Sequence, residues 1–246
     1  FMAKKKIFMD EPSKEFNAIF RTLIGRQSGH TVWQDFVTSF ACLISMSVTP
    51  EHFKVRKERY ENIRKKYTEK ERTALDELYR TTISIVEKNS DQDFLGETYM
   101  RLDFGNKNRG QFFTPYHISK MMAKLNGSCD EEIKEKGYAL VGDPCCGSGG
   151  LLIAFANELK LKYDDISSVV FFAAQDIDYT VSMMCYIQLS LIGCAGYVAV
   201  GNSLINPVPD LTSETTWVTP MCYSKVWQDR FNKKYEEIVR RDEEAA

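Results

Sequence analysis

The stretch that decides the fold is Asp143-Pro144-Cys145-Cys146-Gly147-Ser148-Gly149-Gly150. It follows a short apolar run at residues 138–141 and precedes a helical pattern at residues 151–161. Glycines directly after a strand allow a tight turn close to a ligand, and the amino end of the next helix offers free N–H donors. No Gly-Lys-Ser/Thr follows, and the spacing differs from Gly-x-Gly-x-x-Gly. The stretch therefore indicates a ligand loop of another kind, with a glycine-rich turn that binds nothing as the alternative.

Two more units of the same kind follow along the chain. The apolar run at 169–174 ends in Gln175-Asp176 and precedes a helical pattern at 181–191. The run at 197–200 ends in Gly201-Asn202-Ser203. Strand, loop and helix in succession predict a parallel α/β sheet, whose ligands bind at the carboxyl ends of the strands. All three unusual loops fall at such ends.

The chain before residue 103 has a different pattern. Apolar residues recur at helical spacing over 14–103, Thr49 before Pro50 predicts an N-cap of a helix reaching Tyr67, and Thr68 with Glu71 predicts a capping box. A polar, glycine-containing stretch near residue 105 marks a boundary. We therefore predict a helical domain over residues 1–108 and an α/β domain over residues 109–246.

Charge is distributed unevenly along the 246 residues. The 32 basic and 34 acidic side chains give a net charge of −2, which by itself argues against a dedicated nucleic-acid binder. Residues 1–110, however, contain 20 Lys and Arg against 16 Asp and Glu, while residues 111–246 contain 12 against 18. Seven basic residues fall within 53–67. That stretch is either a solvated helix face or a surface that contacts phosphates.

Membrane and metal chemistry are not indicated. No apolar run approaches the roughly 18–20 residues that a membrane helix requires. The cysteine count is seven, an odd number, without a Cys-x-x-Cys pair or nearby histidines. We expect a cytoplasmic protein in a reducing compartment, with no metal site and no contact with a membrane.

Four motifs in order resemble a known family. They are Gly-Gln-Phe-Phe-Thr-Pro at 110–115, the stretch at 143–150, Ala-Gln-Asp-Ile-Asp at 174–178 and Gly-Asn-Ser-Leu at 201–204. Their order and spacing resemble the N6-adenine DNA methyltransferases, specifically the modification subunits of type I restriction systems. The resemblance covers about residues 90–205 and implies a Rossmann-like methyltransferase sheet that binds S-adenosylmethionine.

The resemblance also implies roles for individual residues. Residues 113–115 match the motif beside the cofactor's methionine part, and Asp143 matches the acid that takes its ammonium. Asp176 matches the acid that holds the ribose hydroxyls, with Ile177 on the adenine face. Asn202 stands where the family usually has an aspartate that accepts a hydrogen bond from the adenine amino group. The amide oxygen of asparagine can accept the same hydrogen bond. The implied cofactor set is Phe113, Thr114, Pro115, Asp143, Pro144, Cys145, Cys146, Gly147, Ser148, Gly149, Asp176, Ile177, Asn202 and Ser203.

The family's catalytic motif has no match. In the family a fourth strand ends in Asn-Pro-Pro and an aromatic residue, which orient the adenine amino group and stack on the flipped base. Asn-Pro-Val-Pro at 206–209 follows the third loop with no strand between, so we interpret it as a turn. The stretch at 217–223 is better placed and makes Thr219, Pro220 and Tyr223 the catalytic candidates. A threonine hydroxyl, however, does not reproduce the orienting effect of an amide.

Only 43 residues follow Ser203. We therefore expect the later strands and the DNA-reading module of the family to be missing, and the sheet edge to be covered by the helical tail at 227–241 or by another chain.

The predicted function is S-adenosylmethionine-dependent methylation of adenine N6 in DNA, of the restriction-modification type. A noncatalytic module that binds cofactor or DNA, or that pairs with a subunit supplying the missing parts, is the main alternative. Methylation of another substrate is the third. The predicted partners are DNA, a specificity or complementary methylase subunit, and a second copy of the chain.

Overall fold

The computed structural model describes residues 11–102, 113–125 and 129–244. Its sheet has the strand order β1-β2-β3-β4, in which the first three strands are parallel and β4 is antiparallel to β3. The predicted parallel α/β arrangement is confirmed. The strands extend past the predicted apolar runs to include both strand-end acids: β1 is Ala139–Asp143, β2 is Val170–Asp176, β3 is Ala195–Val200 and β4 is Thr216–Val218.

Helices make up most of the remaining described chain. The predicted helical pattern before residue 103 is confirmed, and helices also connect the parallel strands, as a parallel sheet requires. The helices are α1 Glu11–Leu23, α2 Gly29–Met46, α3 Phe53–Arg64, α4 Glu69–Lys88, α5 Phe94–Arg101, α6 Tyr116–Leu125, α7 Asp130–Lys136, α8 Gly150–Lys160, α9 Ile166–Val169, α10 Tyr179–Leu191 and α11 Lys225–Glu244. No helix in these ranges is long and apolar enough to span a membrane.

One predicted cap forms and one does not. At α4, Thr68 and Glu71 make the reciprocal capping box: Glu71 N donates to Thr68 Oγ1, and Thr68 N donates to Glu71 Oε2 at 2.7 Å. The prediction for the preceding helix was wrong in two respects. Pro50 begins a 3-10 turn, Pro50–His52, so α3 covers only Phe53–Arg64, and the Thr49 side chain caps nothing.

The larger of two hydrophobic clusters joins the amino-terminal helices to the sheet. Trp33 and Phe36 of α2 have no exposed surface and belong to the same cluster as Met183 and Tyr186 of α10. The chain near residue 105, where the sequence predicts the domain boundary, lies outside the described residues. The division into 1–108 and 109–246 therefore stays a prediction.

The basic side chains of α3 are mostly engaged within the protein. Arg56 is fully buried, with its guanidinium 3.2 Å from the ring centroid of Trp217 and its Nη2 donating to Glu214 O, and burial lowers its pKa to about 10. Arg59 donates to Tyr179 Oη, and Arg64 donates to both oxygens of Asp76. These contacts favour a structural role for much of this stretch, because cations held in this way are not free to contact phosphates.

The two edges of the sheet differ. β4 covers the β3 edge, and Trp227 of α11 packs on Phe171 of β2, with ring centroids 5.1 Å apart. The tail thus covers one face, while β4 and not the tail covers the β3 edge. Within the described ranges β1 pairs only with β2, and Leu140 of β1 is 56% exposed.

Candidate cofactor site

A cavity of about 220 Å³ lies at the carboxyl end of β1. Parts of the chain far apart in sequence meet there, namely the residues before α5, the start of α6 and the loop after β1. Seven residues of the predicted cofactor set come together in its wall. The lining residues are Asp93, Phe113, Thr114, Ser119, Asp143, Cys145, Cys146, Gly147, Ser148, Gly150 and Leu151.

The loop after β1 needs its glycines. Gly147 and Gly149 have φ values of +53° and +91°, which lie in the left-handed region. A Cβ on Gly149 would also lie 2.9 Å from Cys185 Sγ. Cys146 N donates to Gln175 O at 2.9 Å, which ties the loop to the end of β2. The loop therefore takes this shape only with glycine at these positions, and its backbone borders the cavity.

Asp176, at the end of β2, also holds this loop. Its Oδ2 accepts a hydrogen bond from Gly147 N, and its Oδ1 accepts one from Asp178 N, both at 2.9 Å. Each carboxylate oxygen has a further lone pair, so a diol beside it can still be bound. Ile177, the next residue, is 70% exposed and offers an apolar surface to a flat ring.

Asp143 ends β1 in the cavity wall. Its Oδ1 accepts a hydrogen bond from Cys145 N at 3.0 Å. Burial raises the pKa of Asp143, the Cys145 N–H lowers it, and the nearby charge of Asp176 raises it again. The net result is a pKa above the ordinary value, so the ionised carboxylate is less stable here than in water. A cation bound beside it would be favoured for that reason.

Asp93 was missed in the sequence, and it joins Ser148 of the predicted set to Gln188 in a buried network under the loop. Asp93 accepts hydrogen bonds from Ser148 Oγ at 2.6 Å, Gln188 Nε2 at 2.8 Å and Gly96 N at 2.9 Å. Gln188 Nε2 also donates to Ser148 O, and Leu95 N donates to Gln188 Oε1. The sequence signal was limited to an aspartate before an apolar helix start, which predicts an N-cap and nothing more.

Ser119 of α6 was missed as well. Its side chain has no exposed surface and lines the cavity, and its Oγ has no hydrogen-bond partner among the described residues. A buried hydroxyl without a partner is costly, so a ligand that accepts a hydrogen bond here would be stabilised. Ser119 lies in the first turn of α6, four residues after Pro115.

The remaining predicted cofactor residues lie outside the cavity lining. Asn202 stands at the end of β3, where its Oδ1 accepts from Leu204 N at 2.9 Å. Pro115 borders an adjoining cavity of about 450 Å³, which shares Asp93, Phe113 and Thr114 with the first. The others that do not line the first cavity are Pro144, Gly149, Asp176, Ile177 and Ser203.

The structure does not bring the catalytic candidates to this cavity. Thr219 is fully buried at the amino end of β3, where its Oγ1 donates to Cys194 O and accepts from Gly196 N. The cavity lies at the carboxyl end of the parallel strands. Pro220 begins the 3-10 turn Pro220–Tyr223, and Tyr223 Oη is 3.4 Å from Thr49 Oγ1. Thr219 and Tyr223 therefore bind the segment that follows β4 to the rest of the fold.

Comparison with known proteins gives a family match. The model of the N-6 DNA Methylase family matches residues 90–245. The methylase subunit of the type I restriction enzyme MpnII from Mycoplasma pneumoniae is 29% identical over 129 residues, which is 50% of this chain and 22% of that protein. The chain therefore spans less than a quarter of that relative's length. A solved structure described as a class I S-adenosylmethionine-dependent methyltransferase from Listeria monocytogenes is 18% identical, with a TM-score of 0.44 over 82% of this chain and 57% of that one.

The cofactor that the family match implies is S-adenosylmethionine, and the cavity suits its chemistry. The unpartnered Ser119 hydroxyl can donate to its carboxylate, and Asp143 can accept from its ammonium. The glycine loop leaves room that a Cβ would fill, since a Cβ on Gly147 would lie 3.3 Å from the Phe113 ring. Because the family model matches well over half of the chain, the chain belongs to the N-6 DNA methylase family.

Proposed function

We propose that this protein binds S-adenosylmethionine and is part of a restriction-modification methylase, which transfers the methyl group to adenine N6 in DNA. The observation that carries the proposal is the convergence in one cavity of a strand-end acid, a glycine loop and an orphan hydroxyl. These groups match the ammonium and carboxylate of one ligand in a chain that belongs to the N-6 DNA methylase family.

Each group has a distinct task in the proposed site. Asp143 accepts from the ammonium, and Ser119 Oγ with the start of α6 donates to the carboxylate. Asp176 accepts from the ribose hydroxyls through the lone pairs that its backbone contacts leave free, and Ile177 packs on the adenine. When bound, the cofactor supplies an electrophilic methyl group on a sulfonium.

A second candidate function is a module that binds the cofactor while another polypeptide orients the adenine. Two observations favour it. Thr219 is buried at the other end of the sheet, and the outer edge of β1 is not paired by any strand in the described ranges. A further strand parallel to β1 at that edge would end beside the cavity, where a group that orients the base is needed. The partner that we propose is a complementary methylase segment, with DNA and a specificity subunit in the same assembly.

Tritiated methyl transfer separates the two functions. If the chain methylates independently, unmethylated DNA takes up label from S-adenosylmethionine, and Asp143→Ala abolishes uptake because it removes the ammonium acceptor. Saturable binding of the cofactor by calorimetry without uptake of label supports the module instead. Absence of any binding to the wild-type protein contradicts both.

We expect Ser119→Ala to weaken cofactor binding. The loss of one hydrogen bond to a carboxylate costs about 1.5 kcal/mol, or roughly tenfold in affinity. S-adenosylhomocysteine carries the same carboxylate, so its affinity falls by the same factor in a calorimetric titration. Ser47→Ala, at the end of α2 and remote from the cavity, is the matched control. Unchanged affinity in Ser119→Ala would show that the hydroxyl does not contact the ligand.

A further inference from the structure

The carboxylate of Asp93 is buried next to the proposed site, and among the described residues no cation is bonded to it. Its side chain belongs to a residue that is 3% exposed, and the three groups that donate to it are neutral: the Ser148 hydroxyl, the Gln188 amide and the Gly96 N–H. No Lys, Arg or His forms an ion pair with it in the part of the chain that the structure describes. Burial raises the pKa of Asp93 against the effect of these donors.

Such an arrangement is expensive for a residue that serves only as an N-cap. A buried carboxylate that lacks a cation loses the hydration of its charge and regains only part of it from neutral donors. Asp165, the N-cap of α9, does the same capping at the surface, where its Oδ1 accepts from Ser167 N. Capping of α5 therefore does not account for the burial of Asp93.

The position of Asp93 suggests what would neutralise it. Of the described residues, Asp93, Phe113 and Thr114 line both the 220 Å³ cavity and the adjoining 450 Å³ cavity. A ligand that fills the first cavity from the glycine loop to Phe113 and Thr114 therefore shares that cavity with Asp93. The second cavity is also lined by the charged or titratable residues Glu97, Arg101 and His117, and none of them forms a hydrogen bond with Asp93 in the described chain.

We propose that Asp93 is the counter-charge for the sulfonium of bound S-adenosylmethionine and thereby determines selectivity for the methylated cofactor over its neutral thioether product. The inference rests on the proposed function, because it requires S-adenosylmethionine in this cavity. Asp143 and Ser119 face groups that both ligands share, whereas only the methylated cofactor carries the sulfonium charge. The residue that faces the sulfonium is therefore the one whose loss changes the ratio of the two affinities.

The test is a pair of calorimetric titrations, with S-adenosylmethionine and with S-adenosylhomocysteine, on wild type and Asp93→Asn. We expect the variant to lose on the order of tenfold in affinity for S-adenosylmethionine and less than about threefold for S-adenosylhomocysteine, since one buried charge contact is removed from the first ligand only. Ser119→Ala lowers both affinities equally and leaves the ratio unchanged. Asp165→Asn makes the same substitution at an N-cap that is remote from the site, and we expect it to leave both affinities unchanged.

A purely structural role for Asp93 predicts a different result. Both affinities would then fall together in Asp93→Asn, and an unchanged ratio would overturn the inference. If Asp93→Asn does not fold, Asp93→Ser provides the same comparison, because serine is neutral and is itself a good N-cap residue. Failure of the wild-type protein to bind either ligand would overturn the proposed function together with this inference. Binding of both ligands by wild type, with an unchanged ratio in either variant, would overturn the inference alone.

Discussion

Asp176→Asn is expected to weaken S-adenosylmethionine binding by about a hundredfold, or roughly 2.7 kcal/mol. Both oxygens of Asp176 accept backbone N–H groups, from Gly147 and from Asp178. An amide has one acceptor and one NH2 donor, so one of these N–H groups would face another donor. The substitution thus removes a ribose acceptor and also disturbs the glycine loop, although asparagine has nearly the same shape.

Asp178→Asn is the matched control for this experiment. Asp178 is the N-cap of α10, and its Oδ1 accepts from Thr180 N and Val181 N. Since asparagine caps helices as well as aspartate, cofactor affinity should stay within about threefold of wild type. Calorimetric titration of both variants measures the difference. Equal affinities in the two variants would show that Asp176 neither shapes the loop nor contacts the ligand.

Gly196→Ala is expected to lower the free energy of unfolding by about 3 kcal/mol or more, at the upper end of the cost of overpacking. Gly196 lies in β3 opposite Phe172 of β2, and an added Cβ would be 2.2 Å from the Phe172 carbonyl oxygen. That oxygen belongs to the backbone of the central strand pair, so it cannot move without breaking the ladder. The Thr219 hydroxyl accepts from Gly196 N on the other side, which prevents β3 from shifting away.

Gly142→Ala tests whether the effect is specific to this contact. Gly142 lies in β1 of the same sheet. A Cβ added to Gly142 would have Ala173 O as its nearest neighbour at 3.8 Å, which is an ordinary contact distance. We expect its urea midpoint to stay close to that of wild type, whereas the midpoint of Gly196→Ala falls. Similar midpoints for the two alanine variants would contradict the crowding at Gly196.

Much of the fold was predictable because its signals are local. The runs before Asp143 and Asp176 indicated strands, and the polar loops after them indicated the ligand end of a parallel sheet. The capping box at Thr68 was also recoverable, since both partners lie within one helical turn. In each case the residues that decide the structure are neighbours in the chain.

The network under the glycine loop could not be predicted in this way. Asp93 and Ser148 are 55 residues apart, and Asp93 and Gln188 are 95 apart. Taken alone, these residues indicate a helix cap, a loop serine and a polar position in an apolar helix. Their joint role depends on how α5 and α10 pack, which no local pattern encodes.

The sequence by itself determined the order of the three parallel strands and of the helices between them, the glycine loop and the strand-end acids, because these follow from local periodicity and backbone preferences. Only the tertiary structure decided that β4 runs antiparallel on the β3 edge, that Thr219 is buried away from the cavity, and that Asp93 and Ser119 face it. Pairing direction and burial result from contacts between distant segments. The free energies of these contacts depend on tertiary packing, so they cannot be assigned to any one segment of the sequence.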